Sequence, residues 1–385
     1  MPSIGKLKPA MNFDFSADQK ALGDHVRRFL HDKCPRDVVR RVLENGEEQY
    51  AAEVWKGLAH MGLMGTAIAP HYGGAGLGHL ELCVIAQELG RVMAPVPFSS
   101  SIYLAAEAIN LAGSPAQKER WLPGLASGEI IGTLAACESS SEPLGKAVRT
   151  TLAGGRISGR KLLVPDGDVA DIAIVLARCG GSNSDGMAFA LVELGLPSIR
   201  REVIQTIDPS RSHAEVVFDG APAQLLGEAG AGADLLRELY DRAAVLFAFE
   251  QLGGADAALE MACGYAKQRI AFGRPIGSFQ AIKHKLAEIY MRNTLARSHA
   301  YHGAWALSSG APELALAAAA ARASASEAFD FAAKENLQTH GGMGFTWELD
   351  CHLFYRRARM LSLALGSPRL WKDRLVTELE ARATA

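Results

Sequence analysis

The sequence predicts an α+β protein that is mostly α-helical, with its strands grouped in the middle of the chain. Short β-rich runs are confined to residues 131–225, where Gly, Asp, Asn and Ser separate them at a spacing of about ten residues. Helical patterns precede this region, and three long ones follow it, at about 233–269, 278–308 and 312–337. Because the strands do not alternate with helices, a doubly wound nucleotide-binding fold is excluded.

A chain of 385 residues is too long for one simple core, and it suggests two or three domains. We expect an N-terminal α-helical domain over 1–130, beginning with a helix capped by Ser16. A middle β domain over 131–230 follows, predicted as a small antiparallel barrel or sandwich. The long helices of 231–385 have short connections, which predicts an antiparallel bundle.

Composition describes an ordinary globular protein: hydrophobic residues make up 49%, charged residues 21%, and the net charge is −2. This balance supports neither nucleic-acid binding nor attraction to anionic membranes, and no apolar run reaches the roughly 18 residues of a membrane span. The first fifteen residues lack the apolar region of a signal peptide, so we expect a cytoplasmic protein. Its six cysteines are scattered without C-x-x-C spacing, which predicts reduced thiols and no metal site.

The stretch Gln338–Arg359 has the most distinctive sequence in the chain. Gly341, Gly342 and Gly344 must end the helix before them, because three glycines in four positions cannot form a stable helix interior. The segment behind them is basic, with His352, Arg356, Arg357 and Arg359. A glycine turn beside arginines can hold a phosphate or pyrophosphate, but a solvated basic helix face explains the same pattern. The pattern alone leaves both interpretations open.

Three separated motifs resemble the acyl-CoA dehydrogenase family in the right order: ERWLPGLASGE at Glu119–Glu129, RIAFGRPIGSFQAIKH at Arg269–His284, and Gln338–Arg359. The resemblance covers essentially the whole chain from Met11. It implies a helical N-terminal domain, a β middle domain and a C-terminal four-helix bundle, with the substrate pocket between the β domain and the bundle. It also implies FAD, a homodimer or a tetramer, α,β-dehydrogenation of an acyl-CoA thioester, and electron-transfer flavoprotein as the electron acceptor.

The resemblance also implies which residues bind the cofactor. In family members a neighbouring subunit holds much of the FAD through an Arg-x-x-Phe-Gly element, a downstream Gln and a Gln-x-x-Gly-Gly turn. The matching residues here are Arg269, Phe272, Gln280, Gln338, Gly341 and Gly342. Arginine suits a phosphate because guanidinium is a planar donor fork that is always charged. Ser367 is a further expected cofactor contact, and Glu138 and Arg242 are expected substrate contacts.

The half of the flavin site that each subunit supplies to its own FAD departs from the family pattern. The family usually has T-E-P-G-A-G-S-D where this chain has Cys137–Leu144, and only Glu138 fits cleanly. On the next strand, Leu163 replaces a tryptophan that packs on the flavin. Pro165, which has no N–H or hydroxyl to donate, replaces the Thr or Ser beside flavin N5.

The usual catalytic base is also missing. Many members carry Glu a fixed distance after the Gly-Gly turn, and ungapped counting places Leu365 there, a residue that cannot accept a proton. Other members carry the Glu on the long helix before Arg269, where Ala243 now stands. Asp241 is a weak substitute, because it points about 200° away from residue 243 on a helix. We expect Asp241 instead to be an exposed acid that pairs with Arg242 or another neighbour.

The chain retains the contacts to a neighbour's FAD and lacks the contacts to its own FAD. This combination predicts a subunit of a heteromeric acyl-CoA dehydrogenase. Assemblies of this α2β2 kind act on bulky substrates such as sterol side-chain CoA thioesters. Three alternatives stay open: a self-sufficient homo-oligomer with an unconventional base, a flavin-dependent monooxygenase on the same fold, and a structural partner without ligand. Oxygen dependence would identify the monooxygenase, and a flavin spectrum of the purified protein would exclude the purely structural role.

Overall fold

The computed structural model describes residues 14–46, 48–139, 148–179 and 186–383. The expectation about a signal peptide concerns residues outside these ranges, and so does the comparison of residues 140–144 with the family pattern. In the N-terminal region the helices are α1 (Ala17–Lys33), α2 (Arg36–Asn45), α3 (Ala52–His60), α4 (His79–Val92), α5 (Glu107–Ala112) and α6 (Pro115–Ser127).

Two N-terminal helices begin with the same reciprocal cap. The Ser16 hydroxyl accepts the N–H of Gln19 at 3.2 Å, and the Gln19 side chain accepts the N–H of Ser16 at 2.8 Å. Ser114 and Gln117 repeat this arrangement at the start of α6. Each pair satisfies two backbone donors that a helix start leaves without partners, which is why these helices begin where they do. The prediction that Ser16 caps the first helix is confirmed.

A π-helical segment, Ser99–Ala106, runs directly into α5. The sequence does not distinguish this segment from an α-helix, because a wider turn leaves the apolar pattern nearly unchanged. All its residues are buried, and it packs against the first strand of the sheet. Such wide turns are rare and are often found at functional sites.

The middle region forms one eight-stranded sheet in the order β6-β7-β3-β2-β4-β5-β8, with β1 beside β4. Its strands are β1 (Gly132–Ala135), β2 (Thr151–Ala153), β3 (Arg156–Pro165), β4 (Ile172–Cys179), β5 (Met187–Glu193), β6 (Ile199–Val203), β7 (His213–Pro222) and β8 (Gln224–Gly230). Most pairs are antiparallel as predicted, but β1 and β2 both run parallel to β4. A parallel pair needs a long connection, and the intervening chain provides one between β1 and β4.

The C-terminal region is a helical bundle built from α7 (Gly232–Gln268), α8 (Gln280–Ser309), α9 (Leu314–Thr339), α10 (Cys351–Leu363) and α11 (Pro368–Ala383). Its three longest helices begin and end within two residues of the predicted bounds. Between α7 and α8 the chain makes a small hairpin, β9 (Ile270–Ala271) and β10 (Arg274–Pro275), which we call the hairpin arm. None of the helices in the described ranges is both long and apolar enough to cross a bilayer.

The glycine-rich stretch ends α9 as predicted, at Thr339, and continues as a 3₁₀ turn over Gly341–Phe345. The basic segment behind it is not a free anion site. Arg357 is buried and pairs with Asp208 at 2.6 Å, and Arg359 pairs with Asp330 at 3.0 Å. These arginines therefore join α10 to the β6–β7 connection and to α9.

Candidate active site

A cavity of about 510 Å³ lies where the sheet, the π-helical segment and the bundle meet. This is the place that the sequence analysis expected for the substrate pocket, and the volume falls within the range of ligand sites. The sheet supplies Leu134, Pro165 and His213, the π-helical segment supplies Ser99 and Leu104, and α7 supplies Tyr240 and Phe247. The turn after α10, Ala364–Ser367, closes one wall.

Unusual backbone conformations converge on this cavity. Leu163, Asp166 and Leu365 line it, and their φ angles are +53°, +51° and +62°. Left-handed conformations are unfavourable for residues other than glycine, and they persist where the surrounding structure holds them. Leu163 lies at an irregularity in the pairing of β3 with β7. With the π-helical segment on another wall, four local departures from regular structure shape one site.

Leu365 lies at the cavity wall with only 8% of its surface exposed. It follows the end of α10, in a turn whose backbone carbonyls accept hydrogen bonds from two buried side chains. Arg322 on α9 donates to the carbonyls of Leu361 and Ala364, and Trp371 on α11 donates through Nε1 to the carbonyl of Leu365 at 3.2 Å. The position at which the resemblance implies a glutamate therefore carries an aliphatic side chain on a tightly held turn. Ser367, two residues on, also lines the cavity.

The polar groups of the cavity come mainly from the β3 and β7 ends. Asp166 accepts a hydrogen bond from the Ser100 hydroxyl at 2.6 Å. The Nδ1 atom of His213 lies 3.2 Å from the carbonyl oxygen of Arg211, so Nδ1 carries the proton and Nε2 keeps its lone pair. Burial lowers the pKa of His213, which favours the neutral ring.

Arg211 is a buried cation on the same wall. Only 6% of its surface is exposed, and it pairs with Glu250 on α7 at 3.3 Å and donates to the Ser99 hydroxyl. Its Nε atom is buried and has no hydrogen-bond partner in the described part of the chain. Glu250 on α7 therefore neutralises Arg211 beside the cavity.

The residues predicted to bind a neighbour's FAD lie on the surface at one end of the bundle. All six are exposed: Arg269, Phe272, Gln280, Gln338, Gly341 and Gly342. Contacts between helices bring the segment 269–280 close to the segment 338–342. The rings of Tyr265 and His340 lie 4.1 Å apart, and Lys285 pairs with Glu335 at 2.6 Å. Their binding of FAD stays a prediction, and their common location is compatible with it.

The glycine turn fits a close approach by an external group. A Cβ atom added at Gly342 would meet no atom within 4 Å, and Gly342 has no positive φ, so the chain's own packing does not require glycine there. By contrast, a Cβ at Gly344 would lie 2.2 Å from the carbonyl oxygen of Leu337. Glycine at 344 serves the fold, whereas glycine at 342 leaves backbone open to a ligand or a partner. These residues fit the phosphate-bearing part of FAD.

The cavity wall fits the flavin ring less well. Pro165 and Leu163 line the cavity, as expected for residues that replace the hydroxyl and the aromatic contact of the family. Pro165 offers no donor, and Leu163 offers no aromatic face. Leu365, which also lines the cavity, offers no carboxylate.

Asp241, the weak candidate for a base, is not among the residues that line this cavity. The expectation of an exposed acid beside Arg242 is wrong: Asp241 is 5% exposed and pairs with Arg374 on α11 at 2.6 Å. A contact from a distant element is the physical reason, because the Arg374 side chain reaches Asp241 from α11, which itself packs mainly on α9. Burial raises the pKa of Asp241 to about 6, although Arg374 acts in the opposite direction.

The two predicted substrate contacts are engaged within the protein. Glu138 pairs with the buried Lys161 at 2.7 Å and accepts the N–H groups of Arg149 and Thr150. Arg242 pairs with Glu107 at 2.9 Å and with Glu238 at 3.1 Å. Their role in substrate binding stays a prediction.

Sequence reasoning missed Arg322, Trp371, Asp166, Arg211 and His213. A lone arginine in the alanine-rich run of α9 was a usable signal for Arg322, since a charge within an apolar helix must be paired or bonded. For the others no local pattern exists, because the tertiary fold brings them together from different elements. In the described ranges no group of three or more His, Cys, Asp or Glu residues could hold a metal ion.

N-terminal helices, a central sheet and a C-terminal helical bundle around one such cavity are the architecture of the acyl-CoA dehydrogenase fold. Two family descriptions match the chain: "Acyl-CoA dehydrogenase, N-terminal domain" over residues 16–129, and "Acyl-CoA dehydrogenase, C-terminal domain" over residues 230–373. The chain therefore belongs to the acyl-CoA dehydrogenase family, whose members are FAD-dependent oxidoreductases that act on CH–CH groups.

Among its relatives is the acyl-CoA dehydrogenase IpdE2 of Mycobacterium tuberculosis, which is 33% identical over 94% of this chain and 97% of its own. Among solved structures, the ChsE4-ChsE5 complex of Mycobacterium tuberculosis matches with a TM-score of 0.86 and 28% identity, over 96% of this chain and 99% of the other. A variant of the Tcur3481-Tcur3483 steroid acyl-CoA dehydrogenase matches with a TM-score of 0.84 and 29% identity, over the same shares.

Proposed function

We propose that this chain is a subunit of a heteromeric FAD-dependent acyl-CoA dehydrogenase, in which it lacks a base of its own and completes the FAD site of its partner. The observation that carries the proposal is Leu365, an aliphatic residue buried against the cavity at the position of the family's glutamate. Of the described residues that line the cavity, Asp166 is the one carboxylate, and the Ser100 hydroxyl already binds it. Proton abstraction at this chain's own cavity therefore lacks a free carboxylate, the type of base that the family uses.

The surface at the end of the bundle supplies the second line of support. Ile270 is 56% exposed, Phe272 95% and Phe345 71%, all beside the predicted FAD contacts. Large apolar side chains that cluster on a surface mark an interaction site. We assign this surface to a second family subunit, and the full assembly to a dimer of two such pairs.

In that assembly FAD would supply the hydride acceptor for α,β-dehydrogenation of an acyl-CoA thioester. The role of this chain is to hold the cofactor: Arg269 offers a charged donor fork to phosphate, Gln280 and Gln338 offer amides, and the Gly341–Gly342 backbone offers close approach. The similar solved structures include the ChsE4-ChsE5 complex and a steroid acyl-CoA dehydrogenase. They favour a fatty-acyl or sterol side-chain thioester as the substrate. Electron-transfer flavoprotein is the proposed acceptor.

The test is the stoichiometry of flavin. The chain purified alone is expected to bind FAD weakly and to show no bleaching of flavin absorbance when acyl-CoA is added. Co-purified with a second family subunit that retains the glutamate, it is expected to give one FAD per pair of chains. Full FAD occupancy with acyl-CoA-dependent bleaching by the chain alone would overturn the proposal in favour of a self-sufficient enzyme.

Arg269→Met in the co-purified complex is expected to lower FAD content without dissociating the pair. Arg274→Met on the same hairpin arm is a matched control, because Arg274 packs over the Phe279 ring at 4.2 Å and has no counterpart among the predicted cofactor contacts. Equal flavin loss from both variants would argue for general damage to the arm rather than for a phosphate contact.

A further inference from the structure

We infer that the hairpin arm anchors this chain directly to protein: the Phe272 ring inserts into an apolar pocket of the second subunit, and carboxylates of that subunit surround the pocket. The inference rests on the proposed function in one respect, since it takes the second family subunit as the partner. It adds the chemistry of the surface that the arm meets. It also gives Phe272 a contact with protein in place of the FAD contact that the resemblance implies.

The tip of the arm has a backbone conformation that a phenylalanine does not favour. The strands β9 and β10 are joined by Phe272 and Gly273, whose φ angles are +52° and +75°. Two-residue turns with positive φ at both positions favour Asn, Asp or Gly at the first position, because other side chains crowd the backbone there. A phenylalanine at this position is unfavourable for the fold, so we look for its role outside the fold.

The Phe272 side chain is also unfavourably placed in water. It is 95% exposed, the largest value for any large apolar residue in the described ranges, and Ile270 beside it is 56% exposed. The isolated fold therefore gains little from the burial of this ring, although the ring occupies a strained position. Aromatic side chains are enriched at the centres of protein interfaces. Strain and exposure at one residue together indicate a ring that is kept for a partner.

Contacts within the arm order the ring before any partner binds. The Phe272 ring packs edge-on against the Phe279 ring at a centroid distance of 6.1 Å, and the Arg274 guanidinium lies 4.2 Å from the centroid of Phe279. The Ile276 N–H closes the base of the arm by donating to the Arg269 carbonyl at 2.9 Å. An ordered side chain loses little conformational freedom on binding, so more of the free energy of its burial appears as affinity.

A pocket in a protein suits this ring better than the phosphate part of a cofactor does. Phosphate beside an apolar ring would lose hydration without a compensating hydrogen bond from that ring. A ring that projects from the tip of an arm is covered only by a concave surface, and the neighbouring Ile270 extends the apolar area that needs cover. The division of roles is therefore phosphate for Arg269 and protein for Phe272.

The charge around the arm defines the rim of the pocket. The segment 261–287 contains five Lys or Arg residues and no Asp or Glu, although the whole chain has a net charge of −2. Lys285 pairs with Glu335, and Arg269 is assigned to the FAD phosphates. Lys267 and Lys283 are exposed, and neither has an ion-pair partner within the described ranges. An interface that covers these cations requires carboxylates on the facing surface, because unpaired charges are costly to desolvate.

The experiment measures the affinity of this chain for the second subunit by biolayer interferometry, once with saturating FAD and once after removal of the flavin. Phe272→Asn removes the ring and keeps the turn, since Asn accepts positive φ, so the midpoint of thermal unfolding should not fall. We expect it to weaken pairing at least about tenfold with and without FAD, the loss that corresponds to the burial of one phenylalanine. Leu77→Asn is the matched control, because Leu77 is a 60% exposed apolar residue on an N-terminal loop, and it should leave the affinity unchanged.

Three results would overturn the inference. A loss of FAD from Phe272→Asn with unchanged pairing of the flavin-free subunits would mean that the ring contacts the cofactor. Unchanged affinity in both states would remove the anchoring role. A dimer of the isolated chain that Phe272→Asn dissociates in analytical ultracentrifugation would make a second copy of this chain the occupant. The proposed function fails on a different readout, flavin bleaching by the chain alone, so the two failures are distinguishable.

A double variant, Lys267→Gln with Lys283→Gln, tests the carboxylates. Opposite charges accelerate association and salt screens them, so the double variant should associate about tenfold more slowly at low salt and lose most of its salt dependence. Lys56→Gln with Lys372→Gln is the matched control, because both lysines are more than half exposed on other surfaces. Equal slowing by the two double variants, or association of the wild type that does not depend on salt, would refute carboxylates around the pocket.

Discussion

Arg322 donates a hydrogen bond to the carbonyl oxygen of Ala364 at 2.6 Å, one residue before Leu365. The guanidinium is fully buried, also binds the Leu361 carbonyl and the Gln251 side chain, and has no carboxylate within salt-bridge distance in the described ranges. Burial lowers its pKa to about 9, so it is still charged at neutral pH. A buried cation without an ion-pair partner is held here by backbone carbonyls, and in turn it fixes the wall of the cavity.

Replacing Arg322 by Met should lower the free energy of unfolding by about 2–4 kcal/mol, because buried carbonyl acceptors lose their donor. Urea denaturation measures the change. Arg359→Met is the control, since Arg359 is half-exposed and pairs with Asp330 on the surface, so its loss should change stability by less than about 1 kcal/mol. Similar losses from both variants would show that the Arg322 contacts are not special.

Asp241 should make the stability depend on pH. Burial raises its pKa from 3.8 to about 6, so the folded state binds a proton more readily than the unfolded state between these values. The resulting stabilisation is fully present below the unfolded pKa and is lost as the pH rises through about 6. The wild type should therefore gain roughly 1–3 kcal/mol from this group between neutral and acidic pH.

The gain is measured as the difference in unfolding free energy between pH 7.5 and pH 5, and Asp241→Asn should lack it. Asp234→Asn is the matched control, because Asp234 lies exposed on the same helix. Since other carboxyl groups titrate in this range, only the difference between variant and wild type is informative. An identical pH profile for wild type and Asp241→Asn would show that the ion pair with Arg374 outweighs burial.

Much of the fold was predictable because it depends on local patterns. The helix α8 was predicted at 278–308 and spans Gln280–Ser309, since apolar periodicity and the following Gly310 determine it. The strands β2, β6 and β8 are short or mostly exposed and lack an alternating apolar pattern, so the sequence does not specify them individually. The parallel pairing of β1 with β4 was not predicted either, since no local signal specifies which strands become neighbours.

The site was predictable where it consists of sequence motifs and not where it depends on packing. Counting from the glycine turn led to Leu365, and the structure places this residue at the cavity wall, just after α10; its equivalence to the family's glutamate stays a prediction. The burial of Asp241 was not predictable, since its ion-pair partner Arg374 lies more than a hundred residues away in the sequence. The hydrogen bonds of Arg322 were not predictable for the same reason, since the carbonyls that accept them lie at and after the end of α10.

Substitution by alanine should lower the stability of the chain at Gly344 and the FAD content of the complex at Gly342. Gly344→Ala places Cβ 2.2 Å from the Leu337 carbonyl oxygen, so it should cost about 2 kcal/mol or more in the isolated chain. Gly342→Ala meets open space, so thermal unfolding of the isolated chain should change little. In the complex, however, Gly342→Ala should lower FAD content, because the added methyl group lies where the cofactor backbone contact is proposed. A strong loss of stability in the isolated Gly342→Ala chain would remove this argument for an external ligand.

Restoring the family's carboxylate at the cavity should not by itself restore chemistry. Leu365→Glu buries an acid on an apolar wall, so we expect a raised pKa for the new carboxyl group and a loss of about 2–4 kcal/mol in stability. Leu379→Glu is the control for added charge, because Leu379 is 51% exposed on α11 and is not among the residues that line the cavity. Pro165 still offers no hydrogen bond, and Leu163 still offers no aromatic face.

We therefore expect no acyl-CoA-dependent bleaching of flavin from Leu365→Glu alone, measured in the isolated chain with added FAD. Bleaching should require Leu163→Trp and Pro165→Thr as well, since the three positions act together on one ring and one proton. Rapid flavin reduction by the single variant would mean that the cavity already holds the ring in a productive position. In that case the missing glutamate would be the one defect of this subunit, and the replacement of Leu163 and Pro165 would be unrelated to its function.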